Sequence, residues 1–309
     1  MSSGKNQSRQ PLRRPRGRAE GSANYGSTSN PPAQKSMEMD AGGDPLGSDF
    51  VLRQELMRRD CLELCCGCEC GNRFLLLPRT KTGKKPLRKI YLTEESTCCQ
   101  KVFCGPCRAL TMHGYFFGSD QNEAVNRREP ATDVKVMEMS KDCACVCCCC
   151  CCGEECTKCG QPKLFVKLSE DINTNFAEKD KGFAPIGHIQ NHAACCKVRQ
   201  TIYVDQYSTT EPKFEMVGSF CQCGNFFPCC EATFDVQDLD SSKNFANSGG
   251  KITKESRDAC SKGMLKEAFL ALQNFHVEPA EGAKYEEKAM LAAAAMLLDL
   301  TIYENQGSS

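Results

Sequence analysis

The chain predicts a mainly β fold with one helix at its C-terminus. Three features predict it: short stretches in which apolar and polar residues alternate, turn-forming residues between them, and an uninterrupted Ala/Leu/Met run near the end. With 309 residues the chain is long enough to bury a substantial core. Its formal net charge is +0, so no bulk field draws it to nucleic acid, and no nucleic-acid partner is expected. Trp is absent and other aromatics are sparse, which gives no sign of a carbohydrate or base-stacking surface.

Residues 1–48 read as a disordered tail, rich in Ser, Gly, Asn, Pro and Gln and too poor in large apolar groups to offset its ordering entropy. Lys5, Arg9, Arg13, Arg14, Arg16 and Arg18 precede any acidic residue. Such a run is a solvated charge stretch, an import-type signal, or a contact for anionic lipid at about 1 kcal/mol per basic residue near the surface. The tail is also where protein partners are expected. Pro11 and Pro15 lack the PxxP spacing of an SH3 ligand.

One domain is expected over 49–305. Alternating stretches fall at Lys89–Leu92, Leu164–Leu168, Ile202–Asp205, Lys213–Val217 and Thr233–Val236. Breaks at Gly71-Asn72, Gly118-Ser119-Asp120 and Ser248-Gly249-Gly250 suit hairpins or loops. Strands in series without amphipathic helices between them argue for a sandwich or a barrel. A helix is expected over 286–303, because Ala, Leu and Met favour helix and no Gly or Pro interrupts Ala289 to Leu298. From Ala289 to Tyr303 it would run about 22 Å at ~1.5 Å per residue, against roughly 30 Å of hydrocarbon, and it carries Asp299. Ala289, Leu297 and Asp299 therefore belong to a buried core helix or to a membrane insertion. Residues 306–309 form a short tail.

The outlier is 26 Cys. Met1–Gln7 has no apolar core, so no signal peptide is expected, and the thiols are expected to meet a reducing, intracellular setting. Six consecutive cysteines, Cys147 to Cys152, cannot build a regular disulfide framework, because neighbouring side chains point apart. Lipid attachment and metal binding remain. For metal, Cys156-Thr157-Lys158-Cys159 and Cys104-Gly105-Pro106-Cys107 have zinc-knuckle spacing, Cys65 to Cys70 is dense in thiols, and Cys156 with Cys159 is the best half-site for zinc. His113, His188, His192 and His276 are scattered. No Ser-His-Asp order, P-loop or GxGxxG appears, so the chain is not expected to be an enzyme.

Several segments, taken in order, resemble the phospholipid scramblase family. Tyr91-Leu92-Thr93-Glu94-Glu95-Ser96 with Cys98-Cys99 and Cys104-Gly105-Pro106-Cys107 is similar to its "AAEES…CC…CCGP" region. Pro185-Ile186-Gly187-His188-Ile189 resembles "PIGYV", and Gly250-Lys251-Ile252-Thr253-Lys254 resembles "GKISK". Lys266-Glu267-Ala268-Phe269, Asn274-Phe275, and Lys288-Ala289 through Leu298-Asp299-Leu300 to Tyr303-Glu304 follow "REAF", "DNF" and "KA…LIDF…FE". The resemblance spans about residues 50 to 304.

That resemblance implies a tubby-like closed β-barrel with the hydrophobic C-terminal helix through its middle. It implies ATP-independent movement of phospholipids between leaflets by a lipoprotein whose partner is the phospholipid bilayer. Covalent palmitate is implied on Cys147, Cys148, Cys149, Cys150, Cys151 and Cys152, within a cluster 143–152 where Cys143 and Cys145 are further candidates. Clustering suits this chemistry, since one chain anchors only marginally and stable attachment takes two signals or more. The implied place is the cytoplasmic face of the plasma membrane, with the nucleus open to unacylated protein through Gly250 to Lys254. Calcium is implied through an acidic segment before the helix. Here, however, Ala271, Gln273 and Gly282 stand where the family has aspartates, leaving Asn274, Glu278 and Glu281 as oxygen donors. One short helix makes no pore, so a homo-oligomer or perturbation of the bilayer would be required. Two other readings stand beside transport: a membrane-tethered adaptor that kept the barrel, and a zinc-thiolate protein.

Overall fold

In a computed structural model the chain divides into two compact units, Met1–Met37 and Glu38–Ser309. The residues described all lie in the second: 46–54, 72–79, 89–95, 109–116, 135–142, 162–169, 182–192, 197–205, 207–208, 210–222, 230–239, 248–255 and 273–303.

Twelve strands follow one another along the chain: β1 Asp49–Gln54, β2 Arg73–Arg79, β3 Ile90–Glu95, β4 Leu110–Phe116, β5 Lys135–Lys141, β6 Lys163–Ser169, β7 Phe183–His192, β8 Lys197–Val204, β9 Phe214–Ser219, β10 Ala232–Asp238, β11 Ser248–Lys254 and β12 Asn274–Pro279. Each pairs antiparallel with its sequence neighbour, and β12 returns to β1 with Phe50 opposite Val277 and Leu52 opposite Phe275. The sheet is thereby a closed barrel, and closure removes the exposed edges on which other chains could pair.

Alternation decides what faces inward. Phe50 and Leu52, Phe74 and Leu76, Ile90 and Leu92, Met137 and Met139, Leu164 and Val166, Ile202 and Val204, Phe234 and Val236, and Phe275 and Val277 are buried, with partly or fully exposed residues between most of them. A barrel of about eight strands is filled by its own side chains, and twelve strands enclose more room. That room is taken by helix α1, Tyr285–Leu298, which packs against β1, β6, β7, β8 and β12. Every residue from Ala289 to Leu298 is at most 1% exposed. A helix apolar on all sides must be surrounded by apolar groups, and here the barrel wall surrounds it.

The helix starts where the Lys284 N–H donates to the Glu287 carboxylate at 2.8 Å. It ends in a π turn, Asp299–Tyr303, in which the Thr301 hydroxyl donates to the Leu297 carbonyl at 2.6 Å. The expected helix over 286–303 is thus found, with its last five residues wound more widely.

The five expected strands lie within or across β3, β6, β8, β9 and β10. Ser248-Gly249-Gly250, expected as a turn, instead opens β11. The glycine serves a bulge: Gly250 has φ +130°, and a Cβ there would stand 2.6 Å from the Glu278 carbonyl oxygen. Gly187 in β7 is tighter still, with φ +155° and a Cβ position 2.0 Å from the Tyr203 carbonyl oxygen.

Candidate functional site

Because the strands run up and down in sequence, their connections alternate between the two barrel ends. The connection 142–162 between β5 and β6 carries Cys147 to Cys152, Cys156 and Cys159. All eight lie outside the described residues, but the rim from which their segment leaves and to which it returns is described. Lys141 and Lys163 bound it, and around the same rim lie Gln54, Arg73, Glu95, Leu110, His192, Lys197, Ser219, Ala232, Lys254 and Asn274.

The helix runs from the opposite end towards this one. At its start, the Tyr207 hydroxyl donates to Glu287 at 3.0 Å, and the Lys288 ammonium donates to the Gly47 carbonyl. Burial and then the Glu287 contact push the Tyr207 phenol up to about 12. At its finish, the π turn delivers Asp299 and Tyr303 to the level of Phe275, whose ring lies 5.7 Å from that of Tyr303.

Polar side chains gather inside this end. Glu94, Lys141, Lys254 and Asp299 are buried, and Glu94 accepts the Asn72 N–H at 2.9 Å. Lys254 Nζ sits 5.3 Å from the centre of the Tyr303 ring. Burial, helped by the charge of Asp299, raises the Tyr303 phenol well above its ordinary value, so that phenol stays neutral. Gln200 is wholly buried on the inward face of β8, and neither atom of its amide has a hydrogen-bond partner among the described residues. Sequence reading missed this layer. Its signal was period-2 register: Lys141 continues the inward series Met137, Met139, and Lys254 continues Gly250, Ile252.

Of the expected calcium donors, Asn274 and Glu278 both point outward from β12, four residues and roughly 14 Å apart at about 3.4 Å per residue. Glu278 stands 3.2 Å from His276 Nδ1, and Glu281 is exposed in the turn after the strand. Calcium takes six to eight oxygens at about 2.3–2.6 Å, so this set does not fit one ion. No group of three or more His, Cys, Asp or Glu side chains that could hold a metal occurs among the described residues. Ala289, Leu297 and Asp299 are all buried inside the barrel, and no described helix is long and apolar enough to cross a membrane.

The outer wall is charged. Arg53, Arg79, Lys163, Lys197, Arg199, Asp235, Lys251 and Glu278 are exposed on it, and Glu138 takes hydrogen bonds from Lys135 at 2.8 Å and Lys167 at 3.1 Å. A barrel that crosses lipid carries an apolar band outside and polar groups within, the reverse of this arrangement.

A sequence model of one protein family, Scramblase, matches residues 50–305, from the first strand to just beyond the π turn. The chain belongs to the Scramblase family. No solved structure matches it. Within this Scramblase domain, Tyr91 to Glu95 lie in β3, Pro185 to Ile189 in β7, Gly250 to Lys254 in β11, Asn274-Phe275 at the start of β12, and Lys288 to Leu300 run through α1 into the π turn, while Cys98 to Cys107 and Lys266 to Phe269 lie outside the described residues. The expected closed barrel around a C-terminal helix is the fold observed.

Proposed function

We propose that this Scramblase-family protein is attached to the cytoplasmic face of a membrane by palmitate on Cys147–Cys152, where it promotes ATP-independent exchange of phospholipids between leaflets. The observation that carries the reading is the family match across the whole barrel, 50–305, with the six-cysteine run held in one connection of that barrel. The filled lumen and charged wall supply no bilayer-crossing segment of their own among the described residues, so attachment falls to acyl chains. Calcium dependence is doubtful on this reading, because Asn274, Glu278 and Glu281 do not converge on one point. The test is fluorescent-lipid exchange in vesicles reconstituted with purified acylated protein, with and without calcium. Faster exchange than in protein-free vesicles, equal in calcium and in chelator, is expected; equal exchange with and without protein defeats the reading.

A second reading is a membrane-tethered adaptor. The same scattered donors and the helix-filled lumen favour it, since a barrel that neither senses calcium nor opens can still present its outer wall to a protein. It predicts acylation without lipid exchange. Metal analysis of protein purified under reducing conditions separates both readings from a zinc site at Cys156 and Cys159, because stoichiometric zinc is expected only for that site.

A further inference from the structure

The barrel sorts its cysteines by end. The connections leaving the rim where β1 finishes are 55–72, 96–109, 142–162, 193–196, 220–231 and 255–273, and all 26 cysteines fall in these six. The connections of the opposite rim, 80–89, 117–134, 170–182, 205–213, 239–247 and 280–284, contain none, and neither do the twelve strands. Nothing in β-barrel folding requires this. Cysteine packs well in strands and cores, where it behaves as a small hydrophobe.

The described part of this rim shows what kind of surface it is. In the β9–β10 connection Cys221 is a free, exposed thiol and Cys230 is half-buried. Phe220, beside Cys221, is left 38% exposed, as Tyr207 (46%) and Leu239 (40%) are on the opposite rim, so it is the thiols beside the ring that set this end apart. The Cys221 N–H donates to the Ser219 hydroxyl at 3.2 Å, fixing the turn that brings thiol and ring out together. An exposed thiol next to an exposed aromatic ring suits a lipid surface, since both gain by leaving water. A soft metal ion would instead need several thiols or imidazoles converging on one point, and Cys221 and Cys230 belong to no such group among the described residues.

We propose that this whole end is the membrane-facing surface: Cys221 and Cys230, beyond the Cys147–Cys152 run, carry thioester-linked acyl chains, and the barrel stands end-on with its axis along the membrane normal. The reaction is acyl transfer. The cysteine thiol gives up its proton as its sulfur attacks the carbonyl carbon of an acyl-thioester donor, the new C–S bond forms as the carrier's C–S bond breaks, and the carrier leaves as a thiolate that takes up that proton. No oxidant or reductant is involved.

End-on placement follows from the ring. The six connections leave the rim at every second strand of a closed barrel, so they are spread round its circumference. Anchoring through the β5–β6 connection alone would leave the barrel free to roll onto its side. Anchors at β5–β6 and β9–β10 together, four strands apart, oppose that roll. The cysteine-free rim, with Glu211, the helix start and Tyr207, then faces water.

The inference rests on the proposed acyl attachment, and its experiment separates the two. Full-length protein and a variant with Cys147–Cys152 changed to Ser are expressed in cells fed an alkyne palmitate analogue, and acylated cysteines are counted by hydroxylamine-dependent mass tagging. The six-Ser variant is expected to keep hydroxylamine-sensitive label, Cys221→Ser and Cys230→Ser in the wild-type background are each expected to remove one tag, and no loss from either overturns the inference. Label on the wild type but none on the six-Ser variant overturns this inference and leaves the proposed attachment standing. No label on either protein overturns both, and stoichiometric metal with blocked thiols replaces them by a thiolate site. For orientation, a genetically encoded fluorophore replaces exposed Glu231 on the cysteine rim or exposed Glu211 on the other. Purified acylated protein is then bound to phosphatidylcholine/phosphatidylserine vesicles carrying doxyl-lipid quenchers. Quenching several-fold stronger at 231 than at 211 is expected. Equal quenching at the two positions overturns the end-on placement.

Discussion

Leu297→Ala tests whether the C-terminal helix is a structural core or a segment held back for the bilayer. Leu297 is 0% exposed between barrel wall and helix neighbours. The substitution removes three carbons, worth about 2.4 kcal/mol at about 0.8 kcal/mol per buried methylene. A residual cavity raises that, because β-strands locked into a closed ring cannot collapse far; large-to-small changes at such sites cost about 3–5 kcal/mol. We expect a loss of about 3 kcal/mol, which for a domain of this size lowers the midpoint by roughly 6 °C. The assay is urea and thermal unfolding of reduced, unacylated protein without lipid, followed by far-ultraviolet circular dichroism. Ile302→Ala is the control, a half-buried position in the π turn expected to lose far less. A loss below about 0.5 kcal/mol at Leu297, with the barrel still folded, would refute the reasoning, because a side chain that supports the barrel cannot be removed at so small a cost.

Three further perturbations follow from the same packing. Gly187→Ala places a methyl 2.0 Å from the Tyr203 carbonyl oxygen, so the β7–β8 pairing must part locally; we expect a loss of several kcal/mol or no soluble protein, read by denaturant unfolding or yield. His188 is stacked on Tyr203 at 4.3 Å, and burial, then Lys163, lowers its pKa below the 6.5 of an unfolded histidine. Its contribution is therefore complete above about pH 6.5 and declines as pH falls towards the folded pKa, so His188→Phe, which keeps the stack, should lose less melting temperature than wild type between pH 7 and pH 5. Tyr207→Phe removes the hydrogen bond to Glu287 at the helix start and should cost about 1 kcal/mol or less, while ultraviolet titration loses the tyrosine that ionises near 12.

How far the sequence could be read depended on how its strands were punctuated. β6, KLFVKLS, alternates cleanly because it is buried on one face and open on the other, and its pattern was legible. β2, RFLLLPR, was not, since Leu75 is covered as well as Leu76, and an apolar run hides its period. β7 and β11 were obscured by Pro185, Gly187 and Gly249-Gly250, residues that signal a turn locally but here serve bulges and close approach across the sheet. The helix was legible because nothing in it breaks a helix, yet whether lipid or protein would cover it depended on twelve strands closing around it. The calcium donors illustrate the converse. Asn274, Glu278 and Glu281 are neighbours in sequence, and an extended strand keeps them apart. The cysteines were conspicuous in the sequence, but their confinement to one end appeared only when strand order assigned each connection to a rim.

The packing also limits where the proposed phospholipid exchange can take place. A headgroup passing through the barrel would have to displace α1. That exposes Met290, Leu291, Met296, Leu297 and Leu298, each at most 1% exposed now, at about 1.5–3 kcal/mol apiece. The total, roughly 8–15 kcal/mol, equals the whole stability of an ordinary domain, about 5–15 kcal/mol, so an open-lumen state is as rare as the unfolded one. The charged outer wall does not enter hydrocarbon at a lower cost. What remains is the cysteine end, where chains attached round a rigid rim would hold the adjoining lipids at fixed points and disturb their packing. On this account the barrel is a stiff frame, and activity should scale with the number and spread of acylated connections while the fold stays unchanged.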